Sequence, residues 1–110
     1  MKKELFDKII INTDYEMQHR IRLTYYMITE SVREEYCDLK VYGVEIDKEE
    51  FFPDGICKRD SKIIKNLFFR RIEAENFLKR LVRGSVMPIG LKTAVSEHIN
   101  EQIRRLTYEG

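Results

Sequence analysis

The spacing of apolar residues changes along this chain, from every second position in the first half to every third or fourth position in the second. The alternating positions of the first half include Met17, His19, Ile21, Leu23, Tyr25 and Met27. Alternation is typical of a strand with one face on a core and one in water. The later set comprises Ala74, Phe77, Leu78, Leu81 and Val82. These offsets are typical of an amphipathic helix. Because the strands precede the helices, the pattern predicts an α+β domain.

The first half predicts a three-stranded antiparallel meander, with strands at about residues 17–29, 36–47 and 55–65. A polar cluster at residues 30–35 reverses the chain, and Pro53, Asp54 and Gly55 supply the residues of a second turn. The alternation shifts by one position at Tyr42-Gly43, which predicts a bulge there because glycine accepts bulge dihedrals at little cost.

The second half predicts two amphipathic helices, at about residues 70–83 and 88–106, packed on one face of the sheet. Gly84 is placed to end the first helix, and Pro88 suits the start of the second. A DNA-reading helix-turn-helix needs basic residues near that start, where only Lys92 is found, so the link is interpreted as a buried corner.

Residues 1–14 are interpreted as an N-terminal arm or short helix, because Leu5, Phe6, Ile9 and Ile10 have helical offsets. A strand is the alternative, since the run Ile9-Ile10-Ile11 is branched at Cβ. Residues 15–107 are predicted to form a single α+β domain.

Two short motifs, Tyr42-Gly43-Val44-Glu45-Ile46 and Val86-Met87-Pro88-Ile89-Gly90-Leu91, occur in the order sheet, helix, turn, helix. In this order they resemble a family of small proteins from clostridial-type bacteria, domain of unknown function 6514, over roughly residues 17–103. In that family the second motif usually carries a hydroxyl cap, a histidine and an acid where this chain has Met87, Gly90 and Thr93. The resemblance implies an architecture and no activity.

Composition favours a soluble cytoplasmic protein without cofactors. The chain has 110 residues and a formal net charge of +1, and it contains no apolar run long enough to span a bilayer. Cys37 and Cys57 are interpreted as buried small apolar side chains, and His19 and His98 lack metal-ligand spacing. No nucleophile, phosphate-loop or dinucleotide motif is present, so no catalytic, metal or cofactor site is predicted.

The charges are unevenly distributed, with nine basic and three acidic residues from Lys58 to Arg83, and three basic and nine acidic residues from Glu30 to Asp54. The predicted interaction face consists of Lys58, Arg59, Lys62, Arg70, Arg71, Lys79, Arg80 and Arg83. We expect a small non-catalytic interaction or regulatory module, whose partner is a protein or a second copy meeting the acidic stretch Glu45–Glu50. The alternative is a nucleic-acid-associated protein that binds phosphates through the basic face. A solvated helix exterior with local ion pairs is the simpler interpretation of these charges.

Overall fold

The computed structural model describes residues 1–14 and 19–109, and within them the chain forms one four-stranded antiparallel sheet followed by two helices. The elements are β1 (Lys2–Asp14), β2 (His19–Glu34), β3 (Cys37–Phe51), β4 (Cys57–Phe68), α1 (Arg71–Arg83), a 3₁₀ turn (Pro88–Gly90) and α2 (Leu91–Glu109). The strands lie in the order β1-β2-β3-β4. The predicted α+β class and antiparallel meander are confirmed, but the sheet has four strands rather than three.

The additional strand is β1, so the prediction of an N-terminal helix or arm was wrong. β1 pairs with β2 along its length, and the register shifts between Leu5 and Asp7. This irregularity lets Phe6 and Ile9, three positions apart, both pack against the core. Because of the bulge, the two apolar residues are three positions apart, which is also a helical spacing. The strand is favoured because its backbone N–H and C=O groups form hydrogen bonds with β2.

The strands β2 and β3 form the centre of the sheet and are longer than predicted. Their register is continuous from Arg20 opposite Phe51 to Glu34 opposite Cys37. The hairpin extends past the pairing of β1, which begins at Lys2 opposite Thr29, and past that of β4, which ends at Phe68 opposite Tyr42. Met17 and Gln18, at the predicted start of the first strand, lie outside the described residues.

The predicted bulge is found near Gly43, but its extra residues lie on the neighbouring strand. β2 and β3 pair through Gly43 without a shift, whereas Tyr42 pairs with Phe68 and Val44 with Ile64. A Cβ atom at Gly43 would overlap the carbonyl oxygen of Ile64 and approach Cα of Lys65 to 2.7 Å. Glycine is therefore required for the close approach of β4.

The core lies between one face of the sheet and α1. The sheet contributes buried side chains at alternating positions of β2 and β3, including Leu23, Tyr25, Met27, Val44 and Ile46. Helix α1 contributes Ala74, Phe77, Leu78 and Leu81, as its 3.6-residue spacing predicts. The other face of the sheet, here called the open face, carries the intervening residues.

The turn between the helices packs against the sheet through part of its length. Pro88 is buried, Val86 and Met87 pack against the core, and the Tyr25 hydroxyl donates a 2.9 Å hydrogen bond to the carbonyl oxygen of Val86. Ile89 was expected inside this corner but is 89% exposed. Only one side of the turn faces the core.

Helix α2 covers the core with its first turns alone. Leu91 is fully buried, and Ala94 and Val95 are partly buried against the core. Further along, Ile99, Ile103 and Leu106 are 49%, 55% and 76% exposed. We predicted from its periodicity that this helix would cover the sheet, but much of its apolar side lies in solvent.

Candidate interaction surfaces

A row of carboxylates follows β3 across the open face. Glu45, Asp47 and Glu49 stand at alternate positions of the strand and pair in register with Tyr26, Thr24 and Arg22 of β2. They line a groove of about 720 Å³ together with Lys3 of β1 and Arg59 of β4. Residues from three strands thus meet in one charged groove.

Basic side chains from the neighbouring strands neutralise most of this row. Lys3 Nζ lies 2.5 Å from Glu45 Oε2 and 4.1 Å from the ring centroid of Tyr26. The hydrogen bond to Glu45 raises the pKa of Lys3. Arg22 and Arg59 approach Glu49 to 2.7 and 3.7 Å. The groove therefore carries charges of both signs rather than a net acidic field.

Among the three carboxylates of the row, Asp47 has the weakest contacts with basic side chains. Its Oδ1 is buried without a hydrogen-bond partner among the described residues, and Lys3 Nζ is 3.9 Å from its Oδ2. Burial, followed by a hydrogen bond with Glu45 and the charge of Glu45, raises the pKa of Asp47 to about 6. Near neutral pH this carboxyl therefore titrates more readily than an ordinary surface aspartate.

A second groove lies between α2 and the rest of the molecule. Its volume is about 570 Å³, and its lining includes Leu67 and Phe68 on β4, Phe77 on α1, and the three exposed residues of α2. We call Ile99, Ile103 and Leu106 the α2 stripe. The stripe forms one wall of the groove, whose lining also includes the polar side chains Glu73, Asn76, Arg80, His98, Gln102 and Arg105.

His98 fixes α2 against α1 at one end of this groove. Its ring lies 5.5 Å from the ring of Phe68 and 5.2 Å from that of Phe77, both edge to face. Arg80 lies 3.3 Å from His98 Nδ1 and 3.2 Å from a carboxylate oxygen of Glu101. Burial, reinforced by the positive charge of Arg80, lowers the pKa of His98. The neutral imidazole is the form that this packing favours.

The eight basic residues of the predicted face do not all lie on one face of the sheet. Arg59 lies on the open face beside Glu49, whereas Lys58 and Lys62 stand at the alternate positions of β4, opposite Glu50 and Ile46. The residues of α1 lie on the helical side of the sheet. Arg59 is therefore separated from the other seven by the sheet.

Several of these basic residues already contact carboxylates. Arg71 pairs with Glu4 at 2.8 Å and with Glu75 at 3.0 Å, and Glu4, through hydrogen bonds from Arg71 and Lys2, has its pKa lowered to about 2. Arg70 lies 3.9 Å from Glu73. Within the described chain, Lys58, Lys62, Lys79 and Arg83 have no carboxylate within 4.0 Å.

The two cysteines are exposed and far apart, contrary to the expectation of burial. Cys37 is the first residue of β3, and Cys57 pairs with Phe51 at the other end of that strand. At about 3.3 Å per residue they are separated by roughly 45 Å. They cannot form a disulfide with each other in this fold.

The described residues contain neither a metal-binding cluster nor a membrane-spanning helix. No group of three or more histidine, cysteine, aspartate or glutamate side chains in residues 1–14 and 19–109 is arranged to hold a metal ion. None of the helices described has the length and apolar character needed to cross a membrane.

Both candidate surfaces contain features that the sequence did not reveal. Lys3 enters the charged groove because β1 is a strand, and a helical N-terminus would not have placed it opposite Ile28. The run Ile9-Ile10-Ile11, whose side chains are branched at Cβ and favour a strand, was the available signal. Exposure of the α2 stripe depends on where the helix leaves the core, which periodicity does not specify.

Residues 5–101 match the sequence model of a protein family, DUF6514, whose function is unknown. Comparison with curated proteins and with solved structures found no match.

Proposed function

This chain belongs to the DUF6514 family, and we propose that it is a small non-catalytic cytoplasmic protein that acts as an interaction module through its surface. The observation that carries this proposal is the α2 stripe. Three large aliphatic side chains, 49%, 55% and 76% exposed, follow one another at helical spacing along a groove with both apolar and charged lining residues. Scattered apolar residues on a surface need no explanation, whereas a contiguous patch beside a cleft is typical of a protein-binding site.

The attachment of α2 also supports a binding role. The helix is held by Leu91 in the core and by His98 between two aromatic rings, so its first turns have fixed positions. The stripe therefore continues, along the same helix, from turns that are packed against the core. Preorganised helices lose little conformational entropy when they dock into a groove or against another helix.

The test is affinity capture with tagged protein, comparing wild type with Ile103→Glu and Leu106→Glu. Both side chains are more than half exposed, so we expect folding to be retained and binding of protein partners, including further copies of the chain, to be lost. Ile89→Glu is the matched control, because Ile89 is 89% exposed and lies outside the stripe.

The proposal predicts partners captured by wild type and Ile89→Glu but lost with both stripe variants. A partner set that is the same for all four proteins would refute a binding role for the stripe. Circular dichroism and thermal unfolding on each variant would exclude loss of binding through unfolding.

A further inference from the structure

The two edges of the sheet differ in how well they are protected against pairing with another strand. Four basic residues lie on β4, at one edge: Lys58, Arg59, Lys62 and Lys65. On β1, at the other edge, the run Ile9-Ile10-Ile11-Asn12 carries no charge, and Ile10 is 64% exposed. Charges at an edge discourage strand addition, whereas an exposed run of β-branched apolar residues favours it. β1 is therefore the edge that can accept a further strand.

Two backbone amide groups of this run point away from the sheet. The amide of Lys8 donates a 2.7 Å hydrogen bond to the carboxylate of Asp7, its own neighbour, so it is directed away from β2. The register with β2 is continuous from Lys8 to Asn12, and the direction of N–H and C=O groups alternates along an antiparallel strand. The N–H and C=O groups of Ile10 and Asn12 therefore face outward, where water or a further strand is their partner.

Asp7 also limits the length of edge that a further strand can use. Its carboxylate already holds the Lys8 amide, and the register with β2 is shifted between Leu5 and Asp7. A bulge is one of the features that keep an edge strand from pairing. The usable edge is therefore short and runs from Lys8 to Asn12.

This short edge is self-complementary. In an antiparallel pair of β1 strands related by a two-fold axis at Ile10, Ile10 faces Ile10 on the open face, and Ile9 faces Ile11 of the other copy twice on the core side. Lys8 faces Asn12, so no like charges stand opposite each other. The two Ile10 residues exchange their N–H···O=C bonds. Each Asn12 amide reaches the Lys8 carbonyl of the other copy, while the Lys8 amide stays with Asp7.

We propose that β1 pairs with β1 of a second copy of this chain, antiparallel about Ile10, and joins the two sheets into one. This interaction goes beyond the proposed function, since it uses a different surface from the α2 stripe. A second copy matches every isoleucine of the run with an isoleucine. Pairing of β1 with β4 of another copy would set the run against four basic residues and, being heterologous, would continue into a filament. The β1–β1 contact closes at two copies.

The small size of the contact makes the dimer weak. A short strand edge buries far less than the roughly 800 Å² per partner of a standard interface. We expect a dissociation constant on the order of 100 µM. Salt should have little effect, because the contact consists of backbone hydrogen bonds and apolar side chains. A dimer of this strength dissociates during affinity capture, so it does not affect the comparison of the stripe variants.

The test is sedimentation of the full chain from about 10 µM to 1 mM, with Ile10→Lys and the matched control Ile63→Lys. Ile10→Lys places two like charges opposite each other at the two-fold axis, and because Ile10 is 64% exposed we expect the variant to fold. Ile63→Lys makes the same change at a 36% exposed position on the other edge strand. The average mass of wild type and of Ile63→Lys should rise towards that of a dimer. Ile10→Lys should weaken association by at least about tenfold.

Amide hydrogen exchange of wild type locates the contact without any variant. The amides of Ile10 and Asn12 should exchange severalfold more slowly in concentrated than in dilute protein, whereas those of Ile9 and Ile11, which face β2, should not change. Three results would overturn the dimer: wild type that stays monomeric over the whole range, association that persists in Ile10→Lys, or unchanged exchange at Ile10 and Asn12. None of them bears on the α2 stripe, whose role is decided by its own capture experiment.

Discussion

The hydroxyl of Tyr25, in the middle of β2, donates a 2.9 Å hydrogen bond to the carbonyl oxygen of Val86 in the turn between the helices. Tyr25 has no exposed surface, and burial, with the nearby charge of Asp7, raises its pKa to about 12. The phenol therefore remains a neutral donor throughout the physiological range. This bond holds the turn between α1 and α2 against the sheet.

Tyr25→Phe should lower the free energy of unfolding by about 1 kcal/mol, because the Val86 carbonyl loses its partner while the ring still fills the core. Urea denaturation would measure the change. Tyr36→Phe is the matched control, since Tyr36 is 95% exposed and its hydroxyl is available to water. Equal stability of Tyr25→Phe and wild type would show that the bond contributes nothing to folding.

Gly43→Ala should destabilise the protein by about 1–3 kcal/mol, because the new methyl group would overlap the backbone of β4 rather than a movable side chain. Gly90→Ala is the control, since its Cβ would meet only Cγ1 of Val86 at 3.5 Å, an ordinary contact. Chemical denaturation of both variants measures the difference. If the two lose the same stability, close approach is not the reason for glycine at position 43.

Period-two alternation predicted β2 and β3, and helical spacing predicted α1, because each of these buries one face against a continuous core. The turn residues Pro53, Asp54 and Gly55 predicted the return strand β4, which is exposed along most of its length. The sequence signal failed at β1, where a bulge beside Phe6 disguised the alternation. The sequence also predicted the bulge on β3, at Gly43, whereas the extra residues lie on β4. A glycine indicates that two strands approach closely, but it does not indicate which of the two carries the bulge.

The candidate surfaces were less predictable than the fold. Charge clustering in sequence grouped Arg59 with Arg71, yet a strand and a helix place them on opposite sides of the sheet. The α2 stripe was assigned to the core, because an apolar helical face has the same pattern whether it is covered by its own chain or by another. Which charges lie together, and whether an apolar helical face is covered, both depend on how the elements are placed in the tertiary structure.

Asp47→Asn should stabilise the protein near pH 7–8 and have a smaller effect near pH 4. The pKa of Asp47 is raised from 3.8 to about 6, so its protonated form is favoured in the folded state. The corresponding stability is present below about pH 3.8 and lost as the pH rises through about 6. Unfolding temperatures at several pH values measure this dependence.

Asp38→Asn is the control for Asp47→Asn, since Asp38 lies on the exposed part of the β2–β3 hairpin and pairs with Arg33 in register. A stabilisation by Asp47→Asn that is equally large at pH 4 and pH 8 would contradict the assignment of a raised pKa.

Retention on heparin should be weak, because Arg59, Arg70, Arg71 and Arg80 contact carboxylates and Arg59 lies on the other face of the sheet from the rest. The test compares wild type with Lys79→Glu/Arg83→Glu, which leaves these ion pairs intact. The alternative of nucleic-acid binding predicts elution at high salt and a large loss in the double variant. Elution of both proteins at low salt would exclude strong binding of phosphates by the basic residues between Lys58 and Arg83.

His98 should make stability fall as the pH drops below about 6.5. Protonation would place an imidazolium beside Arg80 and between two aromatic rings, and burial already lowers the pKa of His98 from 6.5 in the folded protein. The unfolded chain therefore binds more protons in the window below 6.5, so stability rises with pH there and levels off above it. The charges around the ring are Arg80 and Glu73 from α1 and Glu101 and Arg105 from α2.

An NMR titration of the His98 ring measures this pKa directly. Arg80→Gln should raise it, because the variant removes the neighbouring positive charge while burial remains. Urea unfolding at pH values from 5 to 8 should show a smaller pH dependence in Arg80→Gln than in wild type. A His98 pKa at or above 6.5 in wild type would mean that the ring is hydrated and that α2 is not held against α1 in solution.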